Sequence, residues 1–196
     1  MNAADDGKLR CSWGNSTPAM QAYHDSEWGV PLHDDRALFE LLTLEGAQAG
    51  LSWRTVLDRR PAYREAYHDF DIARVARMRD AALETLLTES GVIRNRLKVF
   101  SVRDNARAAL AAIDQMGSFD AFLWGLVEGA PIVNAWTRPD QVPAQTEASD
   151  RMSKALRKRG FRFVGSTICY AFMQASGMVD DHLTTCWCRA RRRRQS

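Results

Sequence analysis

The sequence predicts an all-α fold. Apolar residues recur at helical spacing behind capping residues. Leu38, Leu41 and Leu42 follow Asp34 and Asp35, and Phe119, Phe122, Leu123 and Leu126 follow Ser118. No stretch of useful length alternates apolar and polar residues, Phe161-Arg162-Phe163-Val164 being the one weak strand candidate. Gly91, Gly129 and Gly177 stand where helices would stop.

Taken in order, residues 1–9 read as a flexible leader. Thr17 caps a short helix with Pro18 at its first position. That helix gathers Met20, Tyr23 and His24 on one side and ends at Trp28-Gly29-Val30-Pro31. A helix over 35–49 follows. Residues 54–79 predict two short helices broken near Pro61 and Asp69. Asp80 is placed as the cap of a helix reaching Glu89. Longer helical patterns run from Asn95 to Gln115 and from Ser118 to Gly129. Pro131, Pro139 and Pro143 make 130–146 a long loop. Helix resumes at Asp150 and runs to Arg159. A turn bounded by Gly160 and Gly165 then leads into a helix from Ser166 to about Ser176. This places a helix–short turn–helix near 150–177, one helical unit over 10–188 and a basic tail over 189–196.

Hydrophobic content of 45% and charged content of 26% are ordinary for a water-soluble domain. No run of 18 apolar residues exists to span a membrane. The first residues, MNAADDGKLR, lack a signal peptide's apolar core, so a cytoplasmic location is expected. The net charge is +3, and subtracting the five arginines of the last ten residues leaves −2. Basic character is therefore local: the tail, Arg94–Lys98 and Lys154–Arg162. Such patches suit a polyanion better than net charge does, although a single charge cluster also reads as a solvated helix face. Nothing signals an oligomer, and a monomer is expected.

Glu45 lies 7, 4 and 3 residues after Leu38, Leu41 and Leu42, and so falls on their apolar face. A carboxylate aimed at a core is costly unless it is paired or has work to do. The bland alternative is a helix-end acid that bends out to solvent. Gly50-Leu51-Ser52-Trp53, just beyond, reads as a turn with an apolar tip and a large aromatic. Trp13, Tyr23, Trp28 and Trp53 supply rings near Glu45 or near metal-type residues. A carboxylate among aromatics suits a flat cation, although tryptophans also simply fill cores.

Four cysteines in a reducing compartment raise the question of metal binding. Cys11, His24, His182 and Cys186 offer two thiolates and two imidazoles, the donor set of a closed tetrahedral zinc site. His182 and Cys186 share a face if helical, and such a site would staple the two ends of the chain. The alternative is that the two pairs are unrelated. A thiol redox role for Cys186 and Cys188 has little framework around it. The hairpin turn can aim backbone N–H groups at a phosphate.

These segments together resemble the 3-methyladenine DNA glycosylase I family. The likeness is carried by Cys11-Ser12-Trp13, by Tyr23-His24-Asp25-Ser26-Glu27-Trp28-Gly29-Val30-Pro31 and by Leu44-Glu45-Gly46-Ala47-Gln48-Ala49-Gly50-Leu51-Ser52-Trp53. Gly91-Val92-Ile93-Arg94, the stretch from Lys154 to Tyr170, Asp181-His182 and Cys186 extend it over about residues 10–188. The resemblance implies a helix–hairpin–helix glycosylase fold with a zinc joining the termini through Cys11, His24, His182 and Cys186. It implies Glu45 as the carboxylate contacting the base, with Trp13, Tyr23 and Trp53 lining the pocket. It implies Leu51 as the wedge entering the duplex, and Gly165, Ser166 and Thr167 as the grip on the DNA backbone. The partner would be double-stranded DNA carrying an alkylated adenine. Bifunctional relatives carry a lysine just after the hairpin glycine. Here Ser166 and Thr167 stand there, which implies a monofunctional enzyme leaving an abasic site. Phe163 occupies the place of the first glycine of the commoner hairpin pattern, and Met20 that of an aromatic in some members. Whether Asp180 or Asp181 positions water is left open. The competing reading is a binding module that recognises damaged DNA without cutting it.

Overall fold

A computed structural model describes residues 6–192, with side chains described through Arg189. After a 3-10 turn, Ser12–Asn15, come α1 (Pro18–Ser26), α2 (Asp35–Gln48), α3 (Trp53–Leu57) and α4 (Arg60–Ala66). A second 3-10 turn, His68–Phe70, leads to α5 (Ile72–Ala76), α6 (Asp80–Glu89), α7 (Arg96–Met116) and α8 (Phe119–Gly125). The hairpin is α9 (Glu147–Lys158) and α10 (Ser166–Ala175), and α11 (Trp187–Arg192) ends the described chain. The mostly helical fold agrees with the sequence reading.

The caps explain the starts. Thr17, Asp34, Ser52, Asn95 and Ser118 each accept a backbone N–H from the first turn of the following helix. Two expected starts shift. Arg79, not Asp80, precedes α6, and Asp80 lies in its first turn. α9 begins at Glu147 because Thr146 and Ser149 form a reciprocal capping box. Helix α8 ends at Gly125, before Gly129, its last turn relaxing into 3-10-type bonds. The break expected near Pro61 falls at 58–59, with Pro61 in the first turn of α4, where its missing N–H would be unpaired in any case. Three short helices, α3, α4 and α5, stand where two were expected.

The strand candidate Phe161–Val164 is not a strand; it is the hairpin turn. The strands are β1 (Ile132–Val133), inside the expected loop, and β2 (Val179–Asp180), paired in parallel. Two-residue strands joined across 47 positions leave no alternation to read.

Helix α2 is the axis of the fold. Ten of its residues, including Leu38, Phe39, Leu42 and Leu44, are buried, and it packs on α7, α8 and α10. Its far end is fixed by Lys98, whose Nζ donates to the carbonyls of Ala47 (2.9 Å) and Ala49 (2.6 Å). A cation there satisfies orphan carbonyls and opposes the negative helix end. Glu40, on the same helix, accepts from Arg60 (2.6 Å) and Arg64 (2.8 Å), and so ties α4 to α2.

The described terminal segments, from Asp6 and up to Arg189, are better anchored than expected. Leader residues Asp6 and Lys8 engage Arg10 and the Trp187 ring, and the Leu9 carbonyl accepts from the Trp187 N–H at 2.8 Å. Arg189, assigned to the tail, is 4% exposed and donates to the carbonyls of Asn134 and His182. Residues 1–5 of the leader and the remaining arginine side chains of the tail lie outside the described residues.

Candidate active site and metal centre

Glu45 is buried on α2, at 4% exposure, rather than bent out to solvent. It lines a cavity of about 490 Å³ together with Trp13, Met20, Tyr23, Trp28 and Trp53, among others. Three buried polar atoms in this wall have no partner: Tyr23 Oη, Glu45 Oε2 and Trp53 Nε1. Buried polar atoms are nearly always hydrogen-bonded, so three orphans around one cavity indicate a wall built to be completed by a ligand. Burial pushes the Glu45 carboxyl up to about 8, and burial together with the nearby Glu45 carboxyl raises the Tyr23 phenol. The Tyr23 and Trp53 rings lie 5.1 Å apart, and Trp13 packs edge-on to Trp28 at 5.0 Å.

Asp181 also faces this cavity, at 2% exposure. Its Oδ1 accepts from Asn134 Nδ2 and Trp136 Nε1, both at 2.7 Å. Its Oδ2 accepts from Tyr170 Oη at 2.6 Å and Gln174 Nε2 at 2.7 Å. Four donors fill the acceptor sites of a carboxylate, leaving none to take a proton from water. The sequence pointed to this region but not to this role, because the donors come from two separate segments, the loop at 134–136 and α10.

Gly46 explains how the hairpin reaches this end of α2. A Cβ there would lie 3.2 Å from Phe163 Cβ and 3.3 Å from Phe163 O. Phe163 itself has φ +55°, a left-handed conformation in the place of the expected glycine. Neighbours hold it: Asn105 bonds the N–H and carbonyl of Arg162, and Ser153 Oγ donates to the Val164 carbonyl at 2.7 Å. Gly165 precedes α10, whose N-terminus has no side-chain cap, with Ser166 half-buried and Thr167 exposed. Lys154, Arg157, Lys158 and Arg162 are exposed on the same hairpin. Leu51, between α2 and α3, is 41% exposed.

Cys11, His24, His182 and Cys186 converge, all buried, with their ligand atoms within 4.8 Å of one another. His182 and Cys186 meet through a turn rather than along one helix face. A tetrahedral zinc with ordinary bond lengths requires sulfur-to-nitrogen separations of about 3.6 Å. Cys186 Sγ lies 3.5 Å from His24 Nε2 and 3.4 Å from His182 Nδ1, and Cys11 Sγ lies 3.7 Å from His182 Nδ1. The outer nitrogens have partners of their own: His24 Nδ1 faces Asp25 Oδ1 at 2.8 Å, and His182 Nε2 faces the Trp28 carbonyl at 3.2 Å. Each ring therefore turns its other nitrogen inward, as metal-ligating histidines do. Cys11 and Cys186 share a hydrogen bond that holds the Cys186 thiol below, and the Cys11 thiol above, the usual thiol range, so Cys186 is the first of the pair to ionise. Gly14 permits the packing, since a Cβ would sit 2.8 Å from the His24 ring. Cys188 is buried behind His24, which leaves the redox reading without an accessible thiol.

A family model described as methyladenine glycosylase matches residues 13–190. The chain belongs to the methyladenine glycosylase family. It is 49% identical over 179 residues to DNA-3-methyladenine glycosylase 1 of Escherichia coli (strain K12), covering 91% of this chain and 96% of that one. It also resembles a crystal structure of 3-methyladenine DNA glycosylase I at 51% identity and TM-score 0.88, over 92% of this chain and 99% of that one. A third relative, a Tyr-to-Phe variant of 3-methyladenine DNA glycosylase I solved with 3-methyladenine, matches at 35% identity and TM-score 0.89. That match covers 91% of this chain and 96% of the relative. The matched residues take in Glu45, the aromatic wall of the cavity, and His24, His182 and Cys186 of the cluster, with Cys11 two residues before the match. Among the described residues, no helix is long and apolar enough to cross a membrane.

Proposed function

We propose that this chain is a monofunctional DNA glycosylase of base-excision repair. It hydrolyses the N-glycosidic bond of 3-methyladenine in alkylated duplex DNA and leaves an abasic site. The observation that carries this is the cavity in which Tyr23 Oη, Glu45 Oε2 and Trp53 Nε1 stand buried and unpartnered. A damaged base must leave the stack before any pocket reads it. Methylation at N3 makes adenine cationic in DNA, and its departure as a neutral base needs no strong acid. Glu45 accepts hydrogen bonds from the amino edge, which disfavours bases presenting acceptors there. Trp13, Tyr23 and Trp53 stack on the flat cation.

Leu51 enters the duplex behind the departing nucleotide and offsets part of the few kcal/mol that flipping costs. Gly165, Ser166 and Thr167 hold the backbone at the start of α10, within a helix–hairpin–helix over about 150–177. No lysine stands beside them to form a Schiff base. Cys11, His24, His182 and Cys186 hold one structural zinc, which would cross-link the terminal segments of a helical unit over about 10–188; the donor set and spacing support this. The protein works as a monomer in the cytoplasm.

The test is incubation with methylated duplex DNA, with chromatography of the released base and a separate count of strand breaks. Release of 3-methyladenine, with breaks only after alkali, is expected. No release by folded, DNA-binding protein would establish the binding module instead.

A further inference from the structure

The proposed metal ligands and the cavity wall are the same pieces of chain. Cys11 touches the cavity and lies two residues from Trp13, and His24 follows Tyr23. His182 sits between Asp181 and Leu183, and Trp13, Tyr23, Asp181 and Leu183 all line the cavity. Trp28, another wall residue, accepts from His182 through its carbonyl and packs edge-on against the same ring at 4.6 Å. Trp13 packs against the His24 ring at 5.1 Å. The Asp181 carboxylate gathers Asn134, Trp136, Tyr170 and Gln174, and Arg189 bridges the carbonyls of Asn134 and His182.

Neighbouring Cα atoms are held about 3.8 Å apart, so a backbone displacement at His24 or His182 is passed on to Tyr23 or Asp181. We propose that Cys11, His24 and His182 are positioning residues for the base pocket, so that metal binding and base binding strengthen each other. This rests on the metal reading above and goes beyond stapling. A staple would stabilise the fold without sensing what occupies the cavity. Coupling is reciprocal by thermodynamic necessity: if bound metal tightens the base, bound base tightens the metal by the same factor.

The experiment is zinc competition against a chromogenic chelator, on the full chain, with and without saturating free 3-methyladenine. A second arm records the absorption bands of the cobalt(II)-substituted protein across a titration of the base. The expected result is about tenfold tighter zinc with base present, within the usual range of coupling, and a shift of the cobalt bands. Unchanged zinc affinity and unchanged bands, with the base shown to be bound, would overturn the coupling while leaving the metal site standing. Failure to bind zinc stoichiometrically would overturn the metal reading and this inference together. Thermal stabilisation by zinc does not distinguish the cases, since a staple produces it too.

Discussion

Replacing Glu45 with glutamine removes a buried ionisable group and keeps its shape. The Glu45 carboxyl is raised from 4.5 to about 8 by burial, so between these pH values the native state holds a proton that the unfolded chain has lost. Stability therefore falls as pH rises through this window. The native advantage is complete below about pH 4.5 and disappears as pH passes about 8. At pH 7 the unfolded carboxylate has gained about 2.5 pH units of ionisation, worth on the order of 3 kcal/mol. The replacement amide does not titrate. The variant should match the wild type near pH 4.5 and exceed it by about 3 kcal/mol at pH 7, or about 6–12 °C in Tm for a chain of this size. Urea unfolding of both zinc-saturated proteins from pH 5 to pH 8 measures the difference. A gap that does not change with pH, or a wild type more stable than the variant at pH 7, would refute the claim that Glu45 is buried without a partner.

The same carboxyl predicts a pH-dependent pocket. A ligand donating to Glu45 favours its ionised form, so binding of free 3-methyladenine should release a proton below pH 8. Affinity, corrected for the base's own titration, should then rise by up to about tenfold per pH unit from 6 to 8. Calorimetry in buffers of different ionisation enthalpy detects that proton. Cys186→Ser should abolish stoichiometric zinc binding and lower the Tm, read by metal analysis and thermal unfolding; full zinc content would remove Cys186 from the site. Gly46→Ala forces its Cβ to 3.2 Å from Phe163 and should cost about 1–3 kcal/mol in urea unfolding, with weaker DNA binding; a neutral effect would mean the hairpin gives way freely. Leu51→Ala, at an exposed tip, should leave stability within about 0.5 kcal/mol and free-base affinity unchanged while slowing excision from duplex DNA. An unchanged excision rate would take the wedge role from Leu51.

How much was legible follows from where each signal resides. Glu45 was readable because helical periodicity put a carboxylate among leucines, an anomaly internal to one helix. Most helix starts were readable because caps are local chemistry. The candidate metal donors were readable as residue types, but only the fold brings positions 11 and 24 to 182 and 186. Asp181 was visible as an acid near the hairpin, while its saturation by Asn134, Trp136, Tyr170 and Gln174 was not, because those donors share no sequence pattern. Lys98 looked like one member of a basic patch, yet it caps α2 through carbonyls 49 and 51 positions away. Arg189 looked like tail because it begins an arginine run; its burial depends on two carbonyls, one of them 55 positions distant. The β1–β2 pair is too short to alternate, and its partners, Ile132 with Val179 and Val133 with Asp180, are far apart in the chain.

The most direct test of the central claim compares wild type and Glu45→Gln in single-turnover release of 3-methyladenine from methylated duplex DNA, with both proteins folded and zinc-loaded. The pocket argument predicts that the variant binds the duplex normally and releases base at least about a hundredfold more slowly, the scale seen when one preorganised group is removed from an active site. Equal rates would contradict it, and would mean that the buried carboxyl does not read the base.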